Sequence, residues 1–344
     1  MSRELLNTLF VMREGANAHL NGDTVEVTLE GQRILQVPLL HLGSIVLFGA
    51  TSISRQLMMR CATDGRAVTL LDYGGRFRAR IVGPTSGNVL LRKAQYETHR
   101  DPEQCCGVAR AIVAAKIRNV RQNVARGARD ARDEEHAASL REAVAGMDEL
   151  LAELPSALDL NTVRGVEGRA AALAFGVFGL LITRDKSDFA FTVRTRRPPR
   201  DRVNALLSFT YMLLQLDCTA ALEGVGLDPQ FGFLHALRPG RPALALDLME
   251  EFRPCIAERL VLSLINRRQI NPSHFEERDR GAVMLNEDGR RVLLAEYQRR
   301  KQEEVMHPFL KQTTPLGLVP HLQARLLARH LRGDLPSYPP YLVR

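Results

Sequence analysis

Along the first eighty residues the apolar positions come in short alternating runs. In "AHLNGDTVEVTLEGQRILQV" (residues 18–37), apolar and polar side chains exchange around two turn signals, Asn21-Gly22-Asp23 and Glu30-Gly31-Gln32. A period of two broken by glycine-bearing turns predicts an antiparallel meander. "GSIVLFG" (43–49) predicts another strand, and "SRQLMMRCATDG" (54–65) spaces its apolar residues as a short helix that stops at glycine. "AVTLLD" and "FRARIV" flank "YGGR" as one more hairpin, and the turn formers of "GPTSGN" (83–88) mark a boundary.

Beyond about Asp101 the period changes from two to that of a helix. Helical patterning runs through "PEQCCGVARAIVAAKIRNVRQNVARGA", "DEEHAASLREAVAGMDELLAEL", "TVRGVEGRAAALAFGVFGLLI", "DRVNALLSFTYMLLQLDCTAALEGVG" and "LDLMEEFRPCIAERLVLSLINRR". A small hairpin, "AVMLNEDGRRVLL", is expected before the last helices, and "LPSYPPYLVR" reads as an irregular, mobile tail. Strands followed by helices predict an α+β protein: an N-terminal β-rich domain (1–83), a linker (84–100) and a larger, mostly α-helical domain (101–344).

Composition narrows the class. A chain of 344 residues, 45% hydrophobic and 25% charged, is long enough for two globular domains. The formal charge is +8 and the basic residues are mostly arginine, whose rigid fork suits phosphate, so a polyanionic partner is expected. Cys61, Cys105, Cys106, Cys218 and Cys255 form no C-x-x-C pair and sit among apolar neighbours, which predicts reduced, buried thiols. No apolar core or cleavage site follows Arg3 and Glu4, so a cytoplasmic location is expected. The charge-free run from Ala170 to Ile182 is shorter than the roughly 20 residues of a membrane span. It predicts a buried helix and no membrane association.

Candidate chemistry concentrates in a few places. "GFLHALRPGRPALALDLMEEFRP" (232–254) carries His235 and then Asp247, Glu250 and Glu251. On a helix, Glu250 lies three residues and Glu251 four residues beyond Asp247, so spacing alone leaves open which glutamate shares its face. Acids in a first helical turn are commonly no more than partners of the helix dipole, and a lone histidine is commonly structural. The apolar "PALAL" that leads into Asp247 argues instead for an enclosed cleft. Glu167, between two glycines at the start of an apolar helix, reads equally as a dipole partner or a site residue. Residues 184–202, "RDKSDFAFTVRTRRPPRDR", and the helix "KIRNVRQNVAR" supply basic groups suited to phosphate or to a solvated face. The chain has no H-E-x-x-H, Walker loop or G-x-S-x-G elbow. It also lacks the aromatic interleaving of a single-strand reader, with no Trp and six Tyr.

Taken in order, "LLNTLFV", "LFGATSIS", "GPTSGNVLLRKAQY", "VRGVEGRAA", "RRPPRDRVNALLSFTY", "GFLHALRPGRPALALDLMEEFRP" and "LNEDGRRVLLAEYQRRKQEE…HP" resemble the CRISPR-associated adaptation integrase. That is the larger of the two core adaptation proteins, and the members from type I systems are most similar. The resemblance runs the length of the chain. It implies a dimerising N-terminal β-domain, a helical catalytic domain, and metal-dependent cutting and joining of DNA that inserts spacers by phosphodiester transesterification. It also implies Mg²⁺ or Mn²⁺ held by Glu167, His235 and Glu250, with Asp247 as a further acid beside the metal. The implied partners are spacer and repeat DNA, a second copy of the chain, a small ferredoxin-like protein completing a hetero-hexameric complex, and an additional adaptation nuclease. Individual DNA contacts are not carried over from the family; Lys116, Arg121, Arg194, Arg196, Arg197 and Arg200 are the candidates the basic segments offer. Two other readings stand beside this one: a stand-alone nuclease acting on branched DNA, and a non-catalytic DNA-binding scaffold whose acids cap helices.

Overall fold

Residues 7–73, 75, 77–84 and 89–343 are described by a computed structural model. The chain divides into two units, 1–86 and 87–344. The expected boundary in "GPTSGN" falls mostly on residues 85–88, outside the described residues.

In the first unit, β1 (Asn7–Val11), β5 (Leu42–Phe48), β7 (Ala67–Leu71) and β8 (Phe77–Ile81) form one sheet in that order. The first three are parallel, and β8 returns antiparallel to β7. The predicted meander is the second sheet: β4 (Gln32–Pro38), β3 (Thr24–Leu29) and β2 (Asn17–Asn21), antiparallel, with the short β6 (Ser52–Ile53) parallel to β2. Residues Gly22 and Gly31 hold the turns with positive φ, a backbone glycine adopts without strain. Side chains from both sheets and from α1 (Arg55–Thr63), among them Val11, Val25, Ile45, Leu57 and Val68, meet in one buried core.

The second unit is mainly helical. Its elements are α2 (Val89–Arg100), α3 (Pro102–Asp130), α4 (Glu134–Glu153), α5 (Leu160–Phe178), α6 (Arg202–Val225), α7 (Ala243–Glu250), α8 (Arg259–Asn266), α9 (Glu287–Gln302) and α10 (Val319–Leu331). Two small hairpins accompany them: β9 (Phe275–Arg278) with β10 (Ala282–Leu285), and β11 (Glu304–His307) with β12 (Gln312–Pro315). Asp101 caps α3 through the N–H groups of Glu103 and Gln104, with Pro102 in the first turn; Asp159 caps α5 in the same way. α3 packs on α4, α5 and α7. By length and composition α6 is apolar enough to cross a membrane, but most of it is buried inside the unit as a core helix.

Several sequence expectations are corrected. Within the expected linker, Val89–Arg100 is helix α2. "NEDG" does not turn a hairpin: Asn286 caps α9 by accepting from the Gly289 N–H, and β10 pairs backwards with β9. Glu167 lies well inside α5 rather than before it, because the Asp159 cap starts the helix upstream. The run Ala170–Ile182 is only partly buried, with Leu173, Ala174 and Phe175 all half-exposed. The tail is irregular as expected but firmly held: Tyr338 and Tyr341 are buried and hydrogen-bonded. All five cysteines are free and buried.

Candidate active site

Three segments distant in sequence converge on the ammonium of Lys116. Lys116 projects from α3, Glu167 from α5 and Glu250 from the last turn of α7. The Lys116 ammonium pairs with Glu167 Oε1 and lies 2.7 Å from Glu250 Oε2. His235, on the irregular segment before α7, brings its Nε2 to 3.8 Å from Glu250 Oε1. Glu167 is the accessible member, its side chain 28% exposed, against 1% for Glu250 and 20% for His235. A Cβ added at Gly165 or Gly168 would meet nothing within 4 Å, so the face around Glu167 is open to approach.

Asp247 fixes the histidine. Its Oδ2 accepts from the N–H groups of Phe233 (2.5 Å) and Leu234 (3.0 Å). Its Oδ1 accepts from the His235 N–H (2.9 Å) and from His235 Nδ1 (2.7 Å). A carboxylate can only accept, so Nδ1 carries a proton and Nε2 is the ring nitrogen turned toward Glu250. A metal-ligating histidine needs such an outer partner. Asp247 is wholly buried, and four donors occupy it. Gly232 is required beside it, since a Cβ there would stand 2.6 Å from Asp247 Oδ2 and 2.7 Å from the Ala243 carbonyl carbon.

The ambiguity between adjacent glutamates resolves through packing. Glu251 points away and accepts from Tyr338 Oη (2.5 Å), the Tyr341 N–H (2.7 Å) and Gln323 Nε2 (3.1 Å). Burial, working against those hydrogen bonds, pushes its carboxyl up to about 7. Glu250 is equally buried and moves the other way. Burial alone would raise it, but Arg253, Lys116 and His235 outweigh that and hold it at about 2. Burial likewise opposes the charge on Lys116, and Glu250 and Glu167 more than reverse it, so its pKa stands above the ordinary value.

Arg253 begins a π-helical turn (Arg253–Glu258) that carries its guanidinium to 2.9 Å from Glu250 Oε1. Tyr211 holds it there, with the guanidinium carbon 4.9 Å from the ring centroid and the Tyr211 hydroxyl donating to Glu258 at 2.8 Å. Tyr211 sits between two arginines, Arg194 lying 5.4 Å from the same ring.

Helix α2 supplies supports that sequence reasoning missed. Gln95, fully buried, donates to the carbonyls of Asp228 (2.9 Å) and Phe231 (2.7 Å) and accepts the Asp228 N–H (2.9 Å). His99 Nδ1 donates to the Gly232 carbonyl (2.7 Å), and Arg164 on α5 donates to that of Leu234 (2.6 Å). Only the burial of Gln95 and the half-burial of His99 within "KAQYETHR" mark them, and burial is not visible in a single sequence.

The basic candidates divide. Lys116 and Arg194 turn inward, the latter bonding to Asn204 and Ser208. Arg121 pairs with Asp148. Arg196 and Arg197 are exposed, as is Arg200, which also donates to the Arg280 carbonyl.

The donor set suits a divalent cation. Two carboxylates meet on one position where a positive group already stands, an imidazole nitrogen lies 3.8 Å from the other oxygen of Glu250, and the buried Glu250 Oε2 makes no hydrogen bond of standard geometry among the described residues. No ready-made cluster of three His, Cys, Asp or Glu side chains at ligating distance exists among the described residues, and the Lys116 ammonium contacts both glutamates.

Known proteins resemble this chain over most of its length. The family model described as CRISPR associated protein Cas1 matches residues 9–299. A Moorella thermoacetica protein named CRISPR-associated endonuclease Cas1 1 is 52% identical over 340 residues, covering 99% of each chain. Among solved structures, a casposase bound to integration product superposes with TM-score 0.82 at 22% identity, over 97% of this chain and 93% of that one. A Cas6-RT-Cas1–Cas2 complex matches with TM-score 0.81 at 22% identity, over 99% of this chain and 37% of that one. The structural likenesses establish the fold; the family match and the full-length relative establish the kinship, and this chain belongs to the CRISPR-associated Cas1 family.

Proposed function

We propose that this chain is a divalent-cation-dependent DNA endonuclease and integrase that joins spacer DNA to a CRISPR repeat. What supports the reading is that Glu167 and Glu250 meet on one cationic position, with His235 Nε2 3.8 Å from the other oxygen of Glu250, in a chain whose full-length relative is named an endonuclease. In the proposed reaction a spacer 3′-hydroxyl oxygen bonds to a repeat phosphorus while the bond from that phosphorus to the repeat strand's 3′-oxygen breaks. The displaced strand leaves as an alcohol. One phosphodiester replaces another, so no external energy source enters.

Glu167, His235 through Nε2, and Glu250 would hold the cation. When bound, Mg²⁺ or Mn²⁺ neutralises charge gathering on the phosphate oxygens and polarises the phosphorus. The imidazole donor favours Mn²⁺ over the harder Mg²⁺, so Mn²⁺ supports activity at least as well. The protein's own contribution is preorganisation. Asp247 keeps the His235 proton on Nδ1 and the lone pair on Nε2. Arg253, fixed against Tyr211, keeps Glu250 ionised and in place. With water in place of the 3′-hydroxyl the same arrangement hydrolyses DNA, which unites cutting and joining in one site.

The exposed arginines Arg196, Arg197 and Arg200 are proposed to track the duplex backbone, which fixes register without reading bases. Cas2 accompanies Cas1 in the matched complex, and the matched casposase is bound to integration product. By analogy this chain dimerises through its N-terminal unit and joins a small ferredoxin-like partner in a hexameric complex on DNA.

The test is strand transfer into supercoiled, repeat-containing plasmid with purified partner and Mn²⁺ or Mg²⁺. Glu167→Ala and Glu250→Ala should each abolish cutting and joining, by about a thousandfold or more, while leaving DNA binding intact. A scaffold whose acids only cap helices would keep every activity in both variants.

A further inference from the structure

We propose that Lys116 is a built-in placeholder cation: in the metal-free protein its ammonium holds Glu167 and Glu250 together, and an arriving divalent ion must displace it. This inference rests on the metal-site reading above and goes beyond it by giving Lys116 a role.

Geometry carries it. Glu250 is 1% exposed and Glu167 stands within reach of the same group, so two carboxylates confront each other in a poorly solvated place. Unpaired, they would repel each other and resist burial. Among the described residues Lys116 is the cation that contacts both: its ammonium pairs with Glu167 Oε1 and lies 2.7 Å from Glu250 Oε2. Arg253 does not duplicate it, because its ion pair is with Glu250 and its guanidinium is pinned on Tyr211. The Lys116 side chain is itself buried, 9% exposed, and therefore does not reach out to a DNA backbone in this state.

The residue type fits the role. A lysine ends in a compact charge on a flexible four-carbon stem, which can withdraw without moving the helix; a planar arginine fork would be harder to dislodge. A small, mostly apolar cavity adjoins Lys116, lined by Met147, Ala170, Ala174, Phe175, Tyr211 and Arg253, into which the stem can shift.

The role predicts a sign opposite to that of a structural lysine. Removing Lys116 should weaken the metal-free fold but tighten metal binding, since the ion no longer displaces a like charge a few ångströms away. The experiment titrates Mn²⁺ into the full-length, metal-stripped protein, reading free Mn²⁺ by electron paramagnetic resonance and melting temperature in parallel. Wild type, Lys116→Met, Lys116→Gln and Glu167→Gln are compared. Lys116→Met should melt lower than wild type without metal, bind Mn²⁺ at least about tenfold more tightly, and recover most of the lost melting temperature at saturation. Lys116→Gln keeps the test open should the methionine variant fail to fold. Equal or weaker Mn²⁺ affinity in the foldable variant overturns the placeholder role while leaving the metal site standing. If Glu167→Gln binds Mn²⁺ as well as wild type does, the metal-site reading falls, and the placeholder with it.

Discussion

Asp247 is the residue on which the geometry of His235 turns. Both its oxygens are occupied, three times by backbone N–H groups and once by the imidazole. Asparagine keeps the shape but replaces one acceptor with a donor, so at least one N–H loses its partner and the histidine tautomer is no longer fixed. Asp247→Asn should reduce Mn²⁺ affinity and strand transfer by about 10–100-fold, with duplex binding unchanged. A variant with wild-type metal affinity would mean that Asp247 serves the fold and not the ligand. The four candidate residues are marked in the sequence only by their motifs. Spacing alone could not separate Glu250 from Glu251, because the decision lies in what each faces: a cationic pocket for one, and the tail's tyrosines for the other.

Among elements, the tail behaves least as its composition implies. Prolines and a polar start make "LPSYPPYLVR" read as mobile, yet its backbone and tyrosines complete the surroundings of Glu251, and Asn119 on α3 bridges the Glu251 and Tyr341 carbonyls (both 2.9 Å). A charge-free hydroxyl reaching a buried carboxylate leaves no periodic signal. The helix at Val89–Arg100 was missed for a related reason: the turn formers before it extended the expected linker through it, while its buried side, Leu91, Gln95 and Thr98, is mixed in polarity. The alternating meander and the capped helices were legible because their patterns repeat. The Glu251 contact with the tail has a pH signature. Glu251 has an ordinary value of 4.5 and a folded value of about 7, so the folded state holds its proton more tightly. Its stabilising contribution is complete below pH 4.5 and is lost as pH rises through 7. Melting curves across this range should show wild type losing stability relative to Glu251→Gln as pH rises, by up to about 3 kcal/mol. A pH-independent difference would show that Glu251 does not titrate there.

For the whole molecule, net charge and its placement govern association with DNA. The formal charge of +8 is not spread evenly in effect, since many arginines are already paired to acids; Arg121, Arg169 and Arg299 are examples. Arg196 and Arg197 are exposed on an irregular arm leading into α6. Replacing both with alanine should weaken duplex binding for every sequence alike, and should flatten the salt dependence by about one unit of slope per lost phosphate contact. Unchanged salt dependence would move the DNA path elsewhere on the surface. The central claim is narrower than the path of the duplex: Glu167, His235 and Glu250 share one divalent cation. Its most direct measurement is anomalous scattering from crystals of the metal-stripped protein soaked in Mn²⁺. The account predicts a peak bonded to Glu167, His235 Nε2 and Glu250, with Lys116 drawn away from both acids. Saturating Mn²⁺ with no peak there, and Lys116 still bridging the two glutamates, would contradict it.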